Sequence, residues 1–352
     1  MTYALSELAA ERLPKLLDGV GTAQDWEAKR GRIADDWLRL LGAPPAEGLH
    51  VGPSGEGGYE LLEESSEDDH RRLRIRYGTP DGDTVTAFLL VPHGAALGAT
   101  PAVLALHPTS PEGKADVALP SGRDNRRYGL ELASRGYVVL APDSITAGER
   151  VYPGAEPYRT APFYERHPAW TAVGKMIADH RRAVDVLAAV PEADAGRIGA
   201  IGHSLGGYNG WFLAGLDRRV RAVASSCGFS PFAGDPEPNR WGLRDWFSHM
   251  PALTAMLQEG EVPFEWHEIA ALVMPTPLFF WSGIGDRIFP NWQAIGTAMA
   301  ELDELYRFAG AEGAFEGWIG PAGHDFPPQA RKLAYEFLDR HLKGSAREAH
   351  GE

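Results

Sequence analysis

Cysteine is almost missing from this chain. Cys227 is the only one in 352 residues, so no internal disulfide can form, and a lone thiol fits a reducing compartment. No cysteine pair or histidine cluster stands at metal-ligand spacing. His267-Glu268 opens like a zinc-protease helix motif, but Ala271 occupies the place of the second histidine, so no metal is expected. No window nears the ~18 uninterrupted apolar residues of a membrane helix. Basic residues are outnumbered 34 to 48, a net charge of −14, which argues against nucleic-acid and anionic-membrane partners. The N-terminus lacks a basic stretch followed by an apolar run, which argues against a cleaved secretory signal. A cytoplasmic location is the expectation. Repeats and low-complexity tracts are also absent. The hydrophobic share of 44% and charged share of 23% are those of an ordinary globular protein, long enough to bury a large core.

What is present falls into three stretches, with expected boundaries at 1–58, 59–342 and 343–352. From Leu5 to Leu41 the leucines and tryptophans recur at helical spacing, which predicts an N-terminal helical extension, closed by Gly42 and Pro44-Pro45. The amphipathic face suggests a role in homo-oligomerisation. The Gly52–Gly58 loop follows. Arg72–Tyr77 then alternates polar and apolar, a turn follows at Pro80-Asp81-Gly82-Asp83, and Val85–Val91 completes an antiparallel hairpin. Beyond Gly98 continuous apolar runs (102–106, 137–141, 198–201, 220–224, 278–281, 315–319) alternate with amphipathic helical segments (128–135, 176–189, 205–216, 292–309, 329–342). Runs apolar on both faces are strands of a parallel sheet covered by helices. The expectation is an α/β fold with a mostly parallel, doubly wound sheet of about eight strands. Phe229–Ala271 breaks the alternation. It is long, rich in tryptophan and phenylalanine, and reads as a small cap-like connection over the C-terminal edge of the sheet, where ligands of such sheets bind.

The strongest chemical signal is Gly202-His203-Ser204-Leu205-Gly206-Gly207, set between the strand 197–201 and the helix 205–216. A serine lifted above a sheet on so sharp a turn needs glycine two places before and two after it. Its hydroxyl is a weak nucleophile until a base takes the proton. Serine, acid and histidine follow in that chain order in this kind of site. His324, in the Gly- and Pro-containing loop after the last strand, is the candidate base. Asp286, just past the strand 278–281 and after two glycines, is the candidate acid. Asp217 and Asp235 follow earlier elements, and Asp325 points away from a neighbouring histidine in most loops. The oxyanion hole is expected from the N–H of Leu205 and that of Thr109, since Pro108 has none to give. His107 reads as a buried structural histidine more than as a catalytic one. His107, His203, Trp170, Trp241, Trp246 and Trp266 are candidates for the substrate pocket, although such tryptophans also serve as core.

These residues resemble the dienelactone-hydrolase-like and acetyl-xylan-esterase-like branch of the α/β-hydrolases. The resemblance rests on Leu106-His-Pro-Thr109, Leu132–Asp143, Ile201–Gly207, Ser225-Ser-Cys-Gly228, Pro263–Glu268 and Gly323-His-Asp-Phe326, and it spans roughly residues 60–342. It implies an α/β-hydrolase fold and hydrolysis of small acyl or carbohydrate-linked esters without metal or organic cofactor. Dienelactone hydrolases proper use a cysteine nucleophile, whereas serine stands here, which favours a carboxylesterase. A peptidase or acyltransferase built on the same three residues, and a hydrolase-fold protein that binds without turnover, are the alternatives.

Overall fold

The computed structural model describes residues 2–43 and 58–344. Nine strands form one sheet: β1 (Glu60–Ser66), β2 (His70–Gly78), β3 (Thr84–Pro92), β4 (Thr100–Leu106), β5 (Val138–Pro142), β6 (Ala193–His203), β7 (Val220–Ser226), β8 (Leu278–Gly283) and β9 (Phe315–Gly320). Their order is β9-β8-β7-β6-β4-β5-β3-β2-β1. The strands β4 to β9 run parallel, and β3, β2 and β1 continue as an antiparallel meander. A sheet of about eight strands was the expectation, and the ninth is β1, which the sequence pattern did not mark. It is an edge strand with largely exposed residues such as Glu63 and Glu64, so it carries little apolar signal. Its glutamates face basic residues of β2: Glu60 accepts twice from Arg76. Charge on an edge discourages pairing with another chain.

β4, β5 and β8 are buried at every residue, as their continuous apolar runs required, and β6 is buried over its last six residues, Ile198–His203, while the edge strand β9 is exposed in its middle. Tyr128–Ser134, Ala172–Ala188, Leu205–Leu216, Trp292–Phe308 and Pro328–Leu342 are the covering helices. One core, on one side of the sheet, joins Trp211, Phe212 and the helix 172–188. The other, smaller, packs the helices 128–134 and 328–342 on the opposite side.

The helical pattern over Leu5–Leu41 holds only in its second half. Ala23–Leu41 is an α-helix, opened by a capping box in which Thr22 and Asp25 serve each other's backbone N–H. Residues 5–21 form a 3-10 turn and an irregular strap. Pro14 has no N–H for a helix interior, and the strap's bonds go elsewhere: Tyr3–Ala4 pairs with Glu261–Val262, Leu5 N–H donates to Gly260 O at 2.7 Å, and His267 Nε2–H donates to Pro14 O at 2.8 Å. Trp26, Ile33, Trp37 and Leu41 of the helix are buried within the chain, with Trp37 against Phe212, Phe264 and Trp266. These four residues of the face that suggested self-association are therefore occupied within the chain. Within 229–271, called the cap below, lie the 3-10 turn Pro238–Trp241 and the short helices Ala252–Gln258 and Trp266–Ala271; residues between Glu237 and His249 bound a cavity at Ser204, whereas the helix Trp266–Ala271 packs on the helices 23–41, 205–216 and 292–308. No helix among the described residues is long and apolar enough to cross a membrane.

Candidate active site

Four parallel strands end at the same edge and each hands over one piece of the site. β6 runs into Ser204, which starts the helix 205–216 with φ 55° and ψ −116°. A non-glycine residue in that region is strained and persists only where its surroundings hold it. Here Ser204 N–H donates to Ser226 O at 2.8 Å and Ser204 O accepts from Tyr208 N–H at 3.0 Å. The turn leaves no room for side chains on its flanks. A Cβ on Gly202 would lie 2.2 Å from the carbonyl carbon of Gly206, and one on Gly206 would lie 1.9 Å from Leu106 O.

β8 leads into Asp286. One of its carboxylate oxygens accepts from the N–H groups of Ile288 (2.7 Å) and Phe289 (3.0 Å), and the other accepts from His324 Nδ1–H at 2.8 Å. Burial alone would raise this carboxyl, but His324 and the two N–H groups outweigh it and hold Asp286 below the usual carboxylate range. β9 leads into His324. Its Nε2 lies 2.8 Å from Ser204 Oγ, so with Nδ1 protonated toward Asp286 the other nitrogen is free to accept the serine proton. The neighbouring Asp325 turns the other way, to Arg126 at 2.7 Å, while its carbonyl accepts from Trp281 Nε1–H at 3.0 Å. The histidine is thus clamped through the residue that follows it. Cys227, at the end of β7, also packs here; burial and the Asp286 charge push its thiol up to about 12, so it stays protonated.

The loop after β4 supplies Pro108 and Thr109 to the pocket wall. Among the described residues no hydrogen bond takes the Thr109 N–H, and Leu205, first in its helix, has no intrahelical acceptor for its own. A cavity of about 330 Å³ opens above Ser204, bounded by the cap through Arg240, Trp241, Arg244, Trp246, Phe247 and His249. That is at the small end for a ligand site.

Of the residues expected in the pocket, His203, Trp241 and Trp246 line it. His203 sits under the site with Nδ1 at 2.9 Å from Ser226 Oγ and its ring centroid 4.9 Å from that of His324. Burial, aided by Arg126, keeps it neutral. Three are corrected. His107 is buried behind the loop, where Nε2 accepts from Ser144 N–H and Nδ1–H donates to Pro108 O. Trp170 packs on Phe163 and His167 near the end of the N-terminal helix. Trp266 is fully buried in the aromatic core between Trp37, Trp211 and Trp241. Large apolar side chains gain most from full burial, so these two went to the core.

Sequence reasoning missed Tyr208, His249, Arg240 and Arg244. Tyr208 carried a signal: it is one helical turn past Ser204 and so shares its face. Its hydroxyl lies 2.6 Å from His249 Nε2, and burial pushes that imidazole down to about 3, which keeps it neutral. The cap residues carried none, since the loop that brings them over the site has no periodicity.

Residues 122–315 match the model of the dienelactone hydrolase family. The chain is 27% identical over 212 residues to YtaP of Bacillus subtilis (strain 168), which its name describes as a hydrolase; the match spans 60% of this chain and 67% of that protein. In fold it is similar to a glucuronoyl esterase from Solibacter usitatus, with a TM-score of 0.71 and 20% identity over 96% of this chain and 99% of that one. An acetyl xylan esterase from Paenibacillus sp. R4 gives a TM-score of 0.57 and 17% identity, over 95% and 98%. At these identities the likeness to the two esterases is one of fold.

Proposed function

Because the chain belongs to the dienelactone hydrolase family, we propose that it is a serine-dependent carboxylic-ester hydrolase acting on small acyl or carbohydrate-linked esters. The observation that carries this reading is the unbroken hydrogen-bond line from Ser204 Oγ through His324 to Asp286, both links at 2.8 Å, at the floor of a pocket. In the proposed reaction Ser204 Oγ attacks the ester carbonyl carbon while its proton moves to His324 Nε2. The N–H groups of Leu205 and Thr109 receive the oxyanion. As the tetrahedral intermediate collapses, the C–O bond to the alcohol breaks and His324 returns the proton to the departing oxygen. Water, deprotonated by the same nitrogen, then attacks the acyl-serine and releases the acid. Asp286 holds the imidazole in the Nδ1–H tautomer and faces the positive charge as it forms. No step calls for a cofactor.

The aromatic walls at Trp241, Trp246 and Phe289, and the esterase names of the structural relatives, support a carbohydrate-linked ester. The proposed division of the chain is an extension over 1–58, a hydrolase body over 59–342 with its cap at 229–271, and a tail over 343–352, most of which lies outside the described residues. The single thiol supports a cytoplasmic location. The test is turnover of short-chain p-nitrophenyl esters and acetylated sugars by the protein and by Ser204→Ala. The variant should lose on the order of 10⁴-fold or more in kcat. Retention of full activity would remove Ser204 from the mechanism.

A further inference from the structure

Four arginines line the pocket: Arg123, Arg126, Arg240 and Arg244. Three are committed to carboxylates. Arg123 pairs with Asp116 at 2.5 Å, Arg126 with Asp325 at 2.7 Å, and Arg240 forms a two-pronged pair with Asp235 at 2.8 and 2.9 Å. Arg244 differs from them: among the described residues its guanidinium meets no carboxylate and makes no hydrogen bond. It lies over the Trp246 ring, 4.6 Å from the centroid. Stacking occupies the flat face of a guanidinium and leaves its edge N–H donors for a planar oxyanion.

The base of this side chain is fixed. Arg244 N–H donates to Ser248 Oγ at 2.8 Å, Ser248 Oγ–H donates to Arg244 O at 2.9 Å, and Ser248 N–H donates to Thr160 Oγ1 at 2.9 Å. The nearby polar pair Tyr208 and His249 is neutral: burial holds both uncharged, and the Arg244 charge adds to this at His249. The one acidic residue on the pocket wall, Glu237, is exposed and lies 3.8 Å from Arg240, beside a guanidinium that Asp235 already neutralises. A positioned, uncommitted guanidinium in a small cleft is a receptor for an oxyanion.

We infer that Arg244 is the subsite for an anionic group on the substrate, a carboxylate or its phosphate or sulfate equivalent, carried away from the scissile ester. The inference rests on the ester-hydrolase reading and names a property of that substrate. Arg244 binds and orients; it takes no part in the bond-making steps. Binding energy gained there positions the carbonyl over Ser204.

The experiment compares matched neutral and anionic esters. One pair places the charge on the alcohol side, 4-carbamoylphenyl acetate against 4-carboxyphenyl acetate. The other places it on the acyl side, methyl succinamate against monomethyl succinate. The quantity read is the ratio of kcat/KM, anionic over neutral, in the wild type, Arg244→Gln and Arg244→Lys. The wild type should favour the anionic member of at least one pair, and the ratio should fall about tenfold or more in Arg244→Gln. Arg244→Lys should restore part of it, and 0.5 M salt should lower the wild-type ratio without altering that of Arg244→Gln. An equal ratio in wild type and Arg244→Gln for both pairs overturns the inference. If neutral esters are cleaved in a Ser204-dependent way while that ratio stays flat, only the subsite falls. If Ser204→Ala cleaves the esters as well as the wild type, the ester-hydrolase reading falls, and the subsite with it.

Discussion

The floor and the roof of the pocket are held by different means. On the floor, Ser204, Asp286 and His324 sit within a few residues of strand ends, and backbone groups fix them: Ser226 O for the serine, two N–H groups for the aspartate, and the Trp281 contact to Asp325 O for the histidine loop. On the roof, the cap has little regular structure. It is held by rings, as in Trp241 against Trp266 at 4.4 Å and against Tyr208 at 5.1 Å. It is also held by side chains that bond backbone, as where Tyr164 Oη–H serves the carbonyl of His249 at 2.9 Å. A sheet edge repeats its geometry whatever the substrate, whereas a roof of side chains can be rebuilt residue by residue. In the reaction we propose, this arrangement separates the chemistry from its selectivity.

If that separation is real, damage to the floor should abolish turnover at constant stability, and damage to the roof should do the reverse. Asp286→Asn is expected to cost the most in rate, about 10⁴ in kcat, because the amide favours the wrong histidine tautomer. Circular dichroism and the melting temperature should change little. Trp241→Ala empties a fully buried ring site and should destabilise the fold by about 3–5 kcal/mol, read by chemical denaturation. At temperatures where it remains folded, its KM should rise more than its kcat falls. A loss confined to kcat would break the division.

The smallest expected effect concerns the joint between roof and core. Glu265 is fully buried, and its carboxylate accepts from the N–H groups of Phe232, Ala233 and Trp266. Burial nevertheless pushes its carboxyl up to about 7. A folded-state value above the unfolded one means that its contribution is present below about pH 4.5 and is lost as pH rises through 7. Between pH 5 and 8 the wild type should therefore lose up to about 3 kcal/mol from this group. Unfolding free energies of wild type and Glu265→Gln at both pH values check this: the variant should lack that part of the slope, and identical slopes would contradict it.

The floor was legible in the sequence because its signals are backbone requirements. Glycines at 202 and 206 mark a turn that tolerates no Cβ, and runs buried on both faces mark where the strands end and therefore where Asp286 and His324 must emerge. The roof was not legible, because Arg244 and His249 reach the pocket only through the path of a loop without periodicity. Tryptophan content alone could not tell Trp246, on the pocket wall, from Trp266, in the core. The same limit affected residues 5–21, whose leucines have helical spacing but whose backbone bonds pair with the cap.

The proposed reaction turns on Ser204 being a nucleophile activated by His324. The most direct measurement is the intact mass of the protein after exposure to a fluorophosphonate, followed by peptide mapping. A single adduct on the peptide containing Ser204, absent in Ser204→Ala and slowed by orders of magnitude in Asp286→Asn, is the predicted result. An unlabelled protein, or an adduct at full rate when Ser204 is alanine, would contradict it.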